Sequence, residues 1–152
     1  MLTIIIPVYN EIKTIEKILY KIDEIDFISK EIILVDDCST DGTKSLIKNK
    51  LSKKVKKVIY HEINQGKGSA IRSAQSFVNG DYVIIQDADL EYDPKDYYNL
   101  LKPIIERKYD VVYGSRVLNK NRYKLQNFTS IFRIFKQFLV YWTINYSFYR
   151  II

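Results

Sequence analysis

Two carboxylates stand one residue apart where an apolar run stops: Y-V-I-I at 82–85 leads into Q-D-A-D-L-E-Y-D-P at 86–94. Charges at the end of a buried strand are costly unless something offsets them. Alternate side chains of an extended segment face the same way, so Asp87 and Asp89 can offer oxygens to one cation. A hard divalent ion, Mg²⁺ or Mn²⁺, takes one or two carboxylates together with substrate phosphates. A lone D-x-D pair fits a capped strand-to-helix turn equally well. The weight therefore rests on what else the chain brings to that edge.

The elements that must position this pair alternate in type. Apolar runs at Thr3–Val8, Glu31–Val35, Val58–Tyr60, Tyr82–Ile85 and Val111–Tyr113 read as strands. Ile12, Ile15, Ile18, Leu19, Ile22 and Ile25 repeat at helical spacing. Helices are also expected over Thr43–Leu51, from the glycine loop at 64–68 through Ala70, Ile71, Ala74, Phe77 and Val78, and from Pro94 with Tyr97, Leu101, Ile104 and Ile105 inward. Strands that are apolar throughout and alternate with helices predict an α/β domain with a mainly parallel sheet. Such sheets bind ligands beyond the carboxyl ends of their strands. There the chain carries P-V-Y-N-E at 7–11, Asp36-Asp37, N-Q-G-K-G at 64–68, Asp87-Ala88-Asp89 and Gly114-Ser115-Arg116. Nearly all the chemically capable groups fall at one edge.

Composition narrows the class. With 152 residues, 47% hydrophobic and 28% charged, the chain can build a core and is not disordered. Cys38 is the only cysteine, so no intrachain disulfide forms and a reducing compartment suits it. The formal charge of +6 is unevenly spread. From Arg116 onward there are seven basic residues and no acidic one, leaving residues 1–115 at −1. No nucleic-acid partner is expected of so balanced a domain. His61, the only histidine, has no second His or Cys to support a zinc site, and is read as structural. Ser-His and Cys-His hydrolysis are set aside for want of a nucleophile–base pair.

Together, P-V-Y-N-E, V-D-D-C-S-T-D-G-T at 35–43, N-Q-G-K-G-S-A at 64–70, Q-D-A-D-L-E-Y-D-P and G-S-R at 114–116 resemble the family 2 glycosyltransferases of GT-A fold. Within that family the likeness is to the dolichyl- or polyprenyl-phosphate sugar synthases, over residues 1–116. The resemblance implies a nucleotide-sugar site. Pro7, Tyr9, Glu11 and Asp37 would line the base and ribose pocket, and Lys67 with its flanking glycines would let the backbone approach the donor. Asp87 and Asp89 would hold Mg²⁺ or Mn²⁺ against the diphosphate, with Ala88 beneath the ligand and Glu91 as a further candidate ligand. Asp89 and Arg116 would be the catalytic groups, Arg116 meeting the leaving phosphate as a planar bidentate donor. Cys38 stands where relatives often carry Gly, and is expected to be a small filler.

The implied reaction is inverting transfer to an acceptor oxygen. Relatives supply a general-base Asp beyond the G-S-R segment, and this sequence has no acidic residue there. A lipid-phosphate acceptor relaxes that need, since a phosphate monoester with a second pKa of about 6 is already ionised at neutral pH. The expected organisation is a nucleotide-sugar-binding GT-A domain over 1–116 and a basic aromatic helical tail over 117–152. Within 128–152 the residues Phe128, Ile131, Phe132, Phe135, Phe138, Leu139, Trp142, Tyr146 and Tyr149 follow helical spacing. The uncharged run Gln137–Tyr149 falls short of the roughly 18 residues of a spanning helix. It reads either as an amphipathic helix at an anionic membrane surface or as a packing helix whose cover is missing. That predicts a peripheral protein at the cytoplasmic face of the membrane, serving cell-envelope glycan synthesis. The alternatives are a truncated, non-catalytic donor-binding fragment and a chain whose acceptor side a partner completes. A sugar nucleotidyltransferase would need glycines after the first strand, and a receiver domain would place its acid pair there; neither matches.

Overall fold

The computed structural model describes residues 1–113 and 150–151. Five parallel strands form one sheet in the order β3-β2-β1-β4-β5: β1 Leu2–Val8, β2 Lys30–Asp36, β3 Lys57–Tyr60, β4 Tyr82–Ile85 and β5 Arg150–Ile151. The helices are α1 Ile15–Asp23, α2 Thr43–Leu46, α3 Lys67–Gln75 and α4 Tyr97–Ile105. This is the expected α/β architecture. No helix among the described residues is long and apolar enough to cross a membrane.

Both faces of the sheet are covered, which is why β1 and β2 carry apolar side chains at successive positions. On one face Leu2, Ile4, Ile6, Val8, Ile32 and Leu34 meet Ile15, Ile18, Leu19 and Ile22 of α1, with Ile47, Leu51, Tyr97 and Leu101 closing the layer. On the other, α3 lies on β1 and β2, and Ala70, Ile71 and Ala74 of α3 are buried together with Ile5, Ile33, Val35 and Val83. Each buried Leu or Ile side chain contributes roughly 1.5–3 kcal/mol relative to exposure.

The amino ends of the strands are pinned by one buried acid. Glu31 accepts from Thr3 Oγ1 at 2.7 Å and from the Asn79 amide at 2.9 Å, and pairs with Lys56. Burial would raise its pKa, but the Lys56 ammonium, Thr3 and Asn79 outweigh this and hold the carboxyl below its ordinary range. Thr3 Oγ1 in turn accepts from the Gly80 amide at 2.9 Å, joining β1 to the start of β4.

Four local expectations are corrected. Ile12 precedes α1 and is 40% exposed, because the turn after β1 sets the helix to begin at Ile15. α2 is short and continues as a wider π turn over Ile47–Leu51 that keeps both end residues buried. α3 ends at Gln75 and α4 spends its inward stripe on Tyr97, Leu101 and Ile104, so Phe77 and Ile105 are exposed at 38% and 51%. Val111–Tyr113 is not a strand, and Arg150–Ile151 pairs with β4 at that sheet position. The rest of the tail, 117–149, and Arg116 lie outside the described residues.

A Cβ at Gly80 would lie 2.7 Å from the Thr3 nitrogen and 2.8 Å from the Met1 carbonyl oxygen. Both are backbone atoms that cannot swing away. Gly80→Ala is expected to cost roughly 1–3 kcal/mol, the range for overpacking, measured as a lower urea midpoint. An unchanged midpoint would show that the β1–β4 junction yields.

Candidate active site

β4 stops three residues earlier than β1 in their register, since Ile85 stands opposite Ile5 while β1 continues to Val8. The segment after β4 therefore turns into the space beside Pro7–Tyr9. There Pro7, Tyr9, Glu11, Asp37, Lys67, Asp87, Ala88 and Asp89 line one cleft of roughly 240 Å³. Every nominated donor-binding residue within the described residues lines this cleft. Glu91 is not part of its lining and Arg116 is outside the described residues.

Only one of the two acids that close β2 lines the cleft, because successive strand residues face opposite sides. Asp36 turns to the α1 side, where burial first and the Asp36 charge second push the Tyr60 phenol up. Asp37 lines the cleft yet is only 3% exposed. Its Oδ1 accepts from the Gln65 amide at 2.9 Å and its Oδ2 from the Gly66 amide at 2.7 Å. His61 Nδ1 lies 2.7 Å from Asp37 Oδ1, and His61 Nε2 lies 2.9 Å from Ser73 Oγ. Burial would raise the Asp37 pKa, but the Gln65 amide, the His61 ring and the Gly66 amide together hold it below the usual carboxylate range. An ionised carboxylate only accepts, so Nδ1 carries the proton and, in the neutral ring, Nε2 accepts from Ser73.

The glycine loop thus hangs from Asp37. Gly66 has φ +82°, a conformation other residues rarely adopt, and it is the cap residue immediately before α3. Lys67, the first residue of that helix, reaches Asp87, with Nζ 2.5 Å from Oδ1 and 2.8 Å from Oδ2. Asp89 Oδ1 accepts from the Glu91 amide at 2.9 Å.

Several organising residues escaped the sequence reading. Gln86, 2% exposed, donates to the carbonyls of Asp87 at 2.9 Å and Tyr92 at 3.1 Å, and accepts from the Tyr97 hydroxyl at 2.7 Å. It shapes the D-A-D loop from beneath. Burial first, then the Asp93 charge, pushes the Tyr97 phenol up, which keeps it a donor. The S-T-D-G-T run stitches two loops. The Asn10 amide donates to Ser39 Oγ, the Thr40 amide to Asn10 Oδ1, the Glu11 amide to Thr43 Oγ1 and the Ile12 amide to Asp41 Oδ2. Cys38 takes φ +64°, the backbone region that favours glycine, and its Sγ lies 3.4 Å from the Glu62 carbonyl oxygen.

A glycosyl transferase family 2 model matches residues 3–150. The chain belongs to that family. A dolichol-phosphate mannosyltransferase from Pyrococcus furiosus is 33% identical over 115 residues, covering 75% of this chain and 32% of that protein. The first 349 residues of S. aureus TarS, crystallised with UDP-GlcNAc, superpose with a TM-score of 0.63 at 26% identity, over 81% of this chain and 37% of that one. The mannosyltransferase PcManGT of Pyrobaculum calidifontis, in complex with GDP-Man and Mn²⁺, gives 0.56 at 31% identity over 64% and 30%. These are GT-A glycosyltransferases, and the sheet described above is the GT-A sheet. The chain spans about a third to a half of the length of the curated relatives it matches.

Asp37→Asn tests the loop anchor. An amide cannot accept through its nitrogen, so one partner of Asp37 meets a donor, and a loss of about 1–3 kcal/mol is expected. The depressed folded pKa has a definite sign in linkage. The Asp37 contribution is full above the unfolded value of about 3.9 and is lost as pH falls through the folded one. Urea titrations from pH 6 down should therefore give Asp37→Asn a shallower acid loss than wild type. Parallel curves would exclude Asp37 as the anchor.

Proposed function

We propose that this chain forms the donor side of an inverting transferase that moves a sugar from UDP or GDP to a polyprenyl or dolichyl phosphate. The observation that carries this is the meeting of Pro7, Tyr9, Glu11, Asp37, Lys67, Asp87 and Asp89 in one cleft at the carboxyl edge of the sheet. The named activity of the Pyrococcus relative supports the phosphate acceptor, and the two liganded neighbours support a nucleotide-sugar.

Tyr9, 48% exposed, offers a ring face to a base, and Glu11 accepts hydrogen bonds from ribose or base N–H groups. Asp37, whose oxygens already serve the glycine loop, acts mainly by holding that loop. Asp87 and Asp89 provide hard oxygen ligands that fit Mg²⁺ or Mn²⁺, and no group of three His, Cys, Asp or Glu residues among the described residues could hold a metal. The remaining ligands then come from the diphosphate and water. When bound, such an ion offsets the charge that develops on the leaving diphosphate. Arg116 reinforces that offset from the segment after α4.

An acceptor that is already ionised needs no base, since a phosphate monoester with a second pKa of about 6 is charged at neutral pH. A second reading is a chain that binds donor without transferring it, since all the residues met in the cleft belong to the donor side. Both readings keep the protein at the cytoplasmic membrane surface, through the basic aromatic segment 128–152.

Calorimetric titration with UDP, GDP and their sugar conjugates, with and without Mn²⁺, tests the donor site. One nucleotide should bind only with metal, and Asp89→Ala should weaken it by about tenfold or more, ~1.4 kcal/mol. Metal-independent binding, or none by folded protein, contradicts the proposal. Radiolabel transfer to a polyprenyl phosphate then separates the two readings. For the membrane, Arg133→Glu with Lys136→Glu should abolish co-sedimentation with anionic vesicles, at about 1 kcal/mol per basic residue. Unchanged sedimentation would refute the surface role of the tail.

A further inference from the structure

The carboxylate nominated as a metal ligand already holds a cation. Lys67 Nζ straddles Asp87, 2.5 Å from one oxygen and 2.8 Å from the other, in the space a bidentate ion would take. The lysine is not there by chance of a loose side chain. Its backbone starts α3 directly after Gly66, and the Gly66 amide is anchored on Asp37 at 2.7 Å. Its stem is four carbons long and its side chain is 40% exposed, so the ammonium can leave while its root stays fixed. A group tethered this way competes at an effective concentration of about millimolar or more.

We propose that Lys67 is an exchangeable counter-ion. Without donor it neutralises Asp87 and keeps a divalent ion out. With donor present it moves its ammonium to the diphosphate, and the divalent ion takes its place on Asp87. The charges support the exchange in both directions. Asp87 holds one ammonium before binding, and the diphosphate brings the negative charge that a divalent ion and a lysine together offset. The metal and the nucleotide would then enter as one unit, each weak alone. This rests on the donor-site reading above and adds the order of binding to it.

The test uses the full chain and reads free Mn²⁺ by electron paramagnetic resonance, first without nucleotide. Lys67→Met keeps the stem and removes the charge; it should bind Mn²⁺ about tenfold more tightly than wild type. Lys67→Arg should stay near wild type, and adding Asp87→Asn to Lys67→Met should erase the gain. With UDP or GDP present, wild type should gain Mn²⁺ affinity sharply, whereas Lys67→Met should gain little. Thermal melting checks that each variant is folded. Equal Mn²⁺ affinity of wild type and Lys67→Met, in a protein that does bind nucleotide with metal, overturns the exchange alone. Failure of wild type to bind either nucleotide with Mn²⁺ overturns the donor site and the exchange with it.

Discussion

A single buried carboxylate, Asp37, holds the site in shape. It joins the end of β2 to the end of β3 through His61, to α3 through His61 and Ser73, and to the glycine loop through two amides. Its own amide donates to the Val8 carbonyl at 2.8 Å, which ties the same point to β1. Isolating that charge in a site this buried would be costly. Three donors around the carboxylate turn the cost into geometry: α3 can start only where the loop amides reach the acid. The position of Lys67 follows from that start, and the pairing of Asp87 follows from Lys67.

The two ends of the sheet do different work with similar chemistry. At the amino end Glu31 is buried among Thr3, Asn79 and Lys56, none of which lines the cleft. That cluster fixes the strands against one another. At the carboxyl end Asp37 fixes loops, which have no ladder to define them. The D-A-D loop has a second support in Gln86, whose amide bonds two carbonyls while its oxygen is held by Tyr97 of α4. Backbone groups that would otherwise be orphaned at the end of a strand are satisfied by side chains from the layer below. The loop is thus held from both sides, by Gln86 beneath and by Lys67 across the cleft.

How much of this was legible in the sequence depends on the range of each interaction. Strands β1 to β4 were legible because their apolar runs are local, and the cleft residues because each sits immediately after such a run. What Gln86, His61 and Ser73 do was not, since each acts through a partner that is distant in the chain or in another element. A glutamine before D-A-D reads as polar filler until Tyr97 is seen to hold it. Val111–Tyr113 has good strand propensity, yet propensity does not decide pairing. Arg150–Ile151, two residues near the far end of the chain, pair with β4 instead. Ile12 and Ile105 fit a helical period but fall outside the helix ends that the turns impose. Periodicity finds a face and leaves the boundaries to caps and turns.

The charge of the cleft links the fold to the chemistry. Glu11, Asp37, Asp87 and Asp89 line it, with Lys67 as the one basic residue of the lining among the described residues. Both oxygens of Asp37 are answered by amides and an imidazole and both of Asp87 by Lys67, whereas Glu11 gives one oxygen to the Thr14 hydroxyl and Asp89 one to the Glu91 amide, so each of these two acids keeps an oxygen for a ligand. A diphosphate brought to this edge alone would be repelled by both. Under the proposed function, a divalent ion held by Asp87 and Asp89 would offset their charge and make the edge attractive to phosphate. Glu11 would then be left to the neutral, donor-rich part of a nucleotide, where a carboxylate is the better partner. The separation of roles along the cleft follows from which carboxylates the fold has already satisfied and which it has left for the ligand.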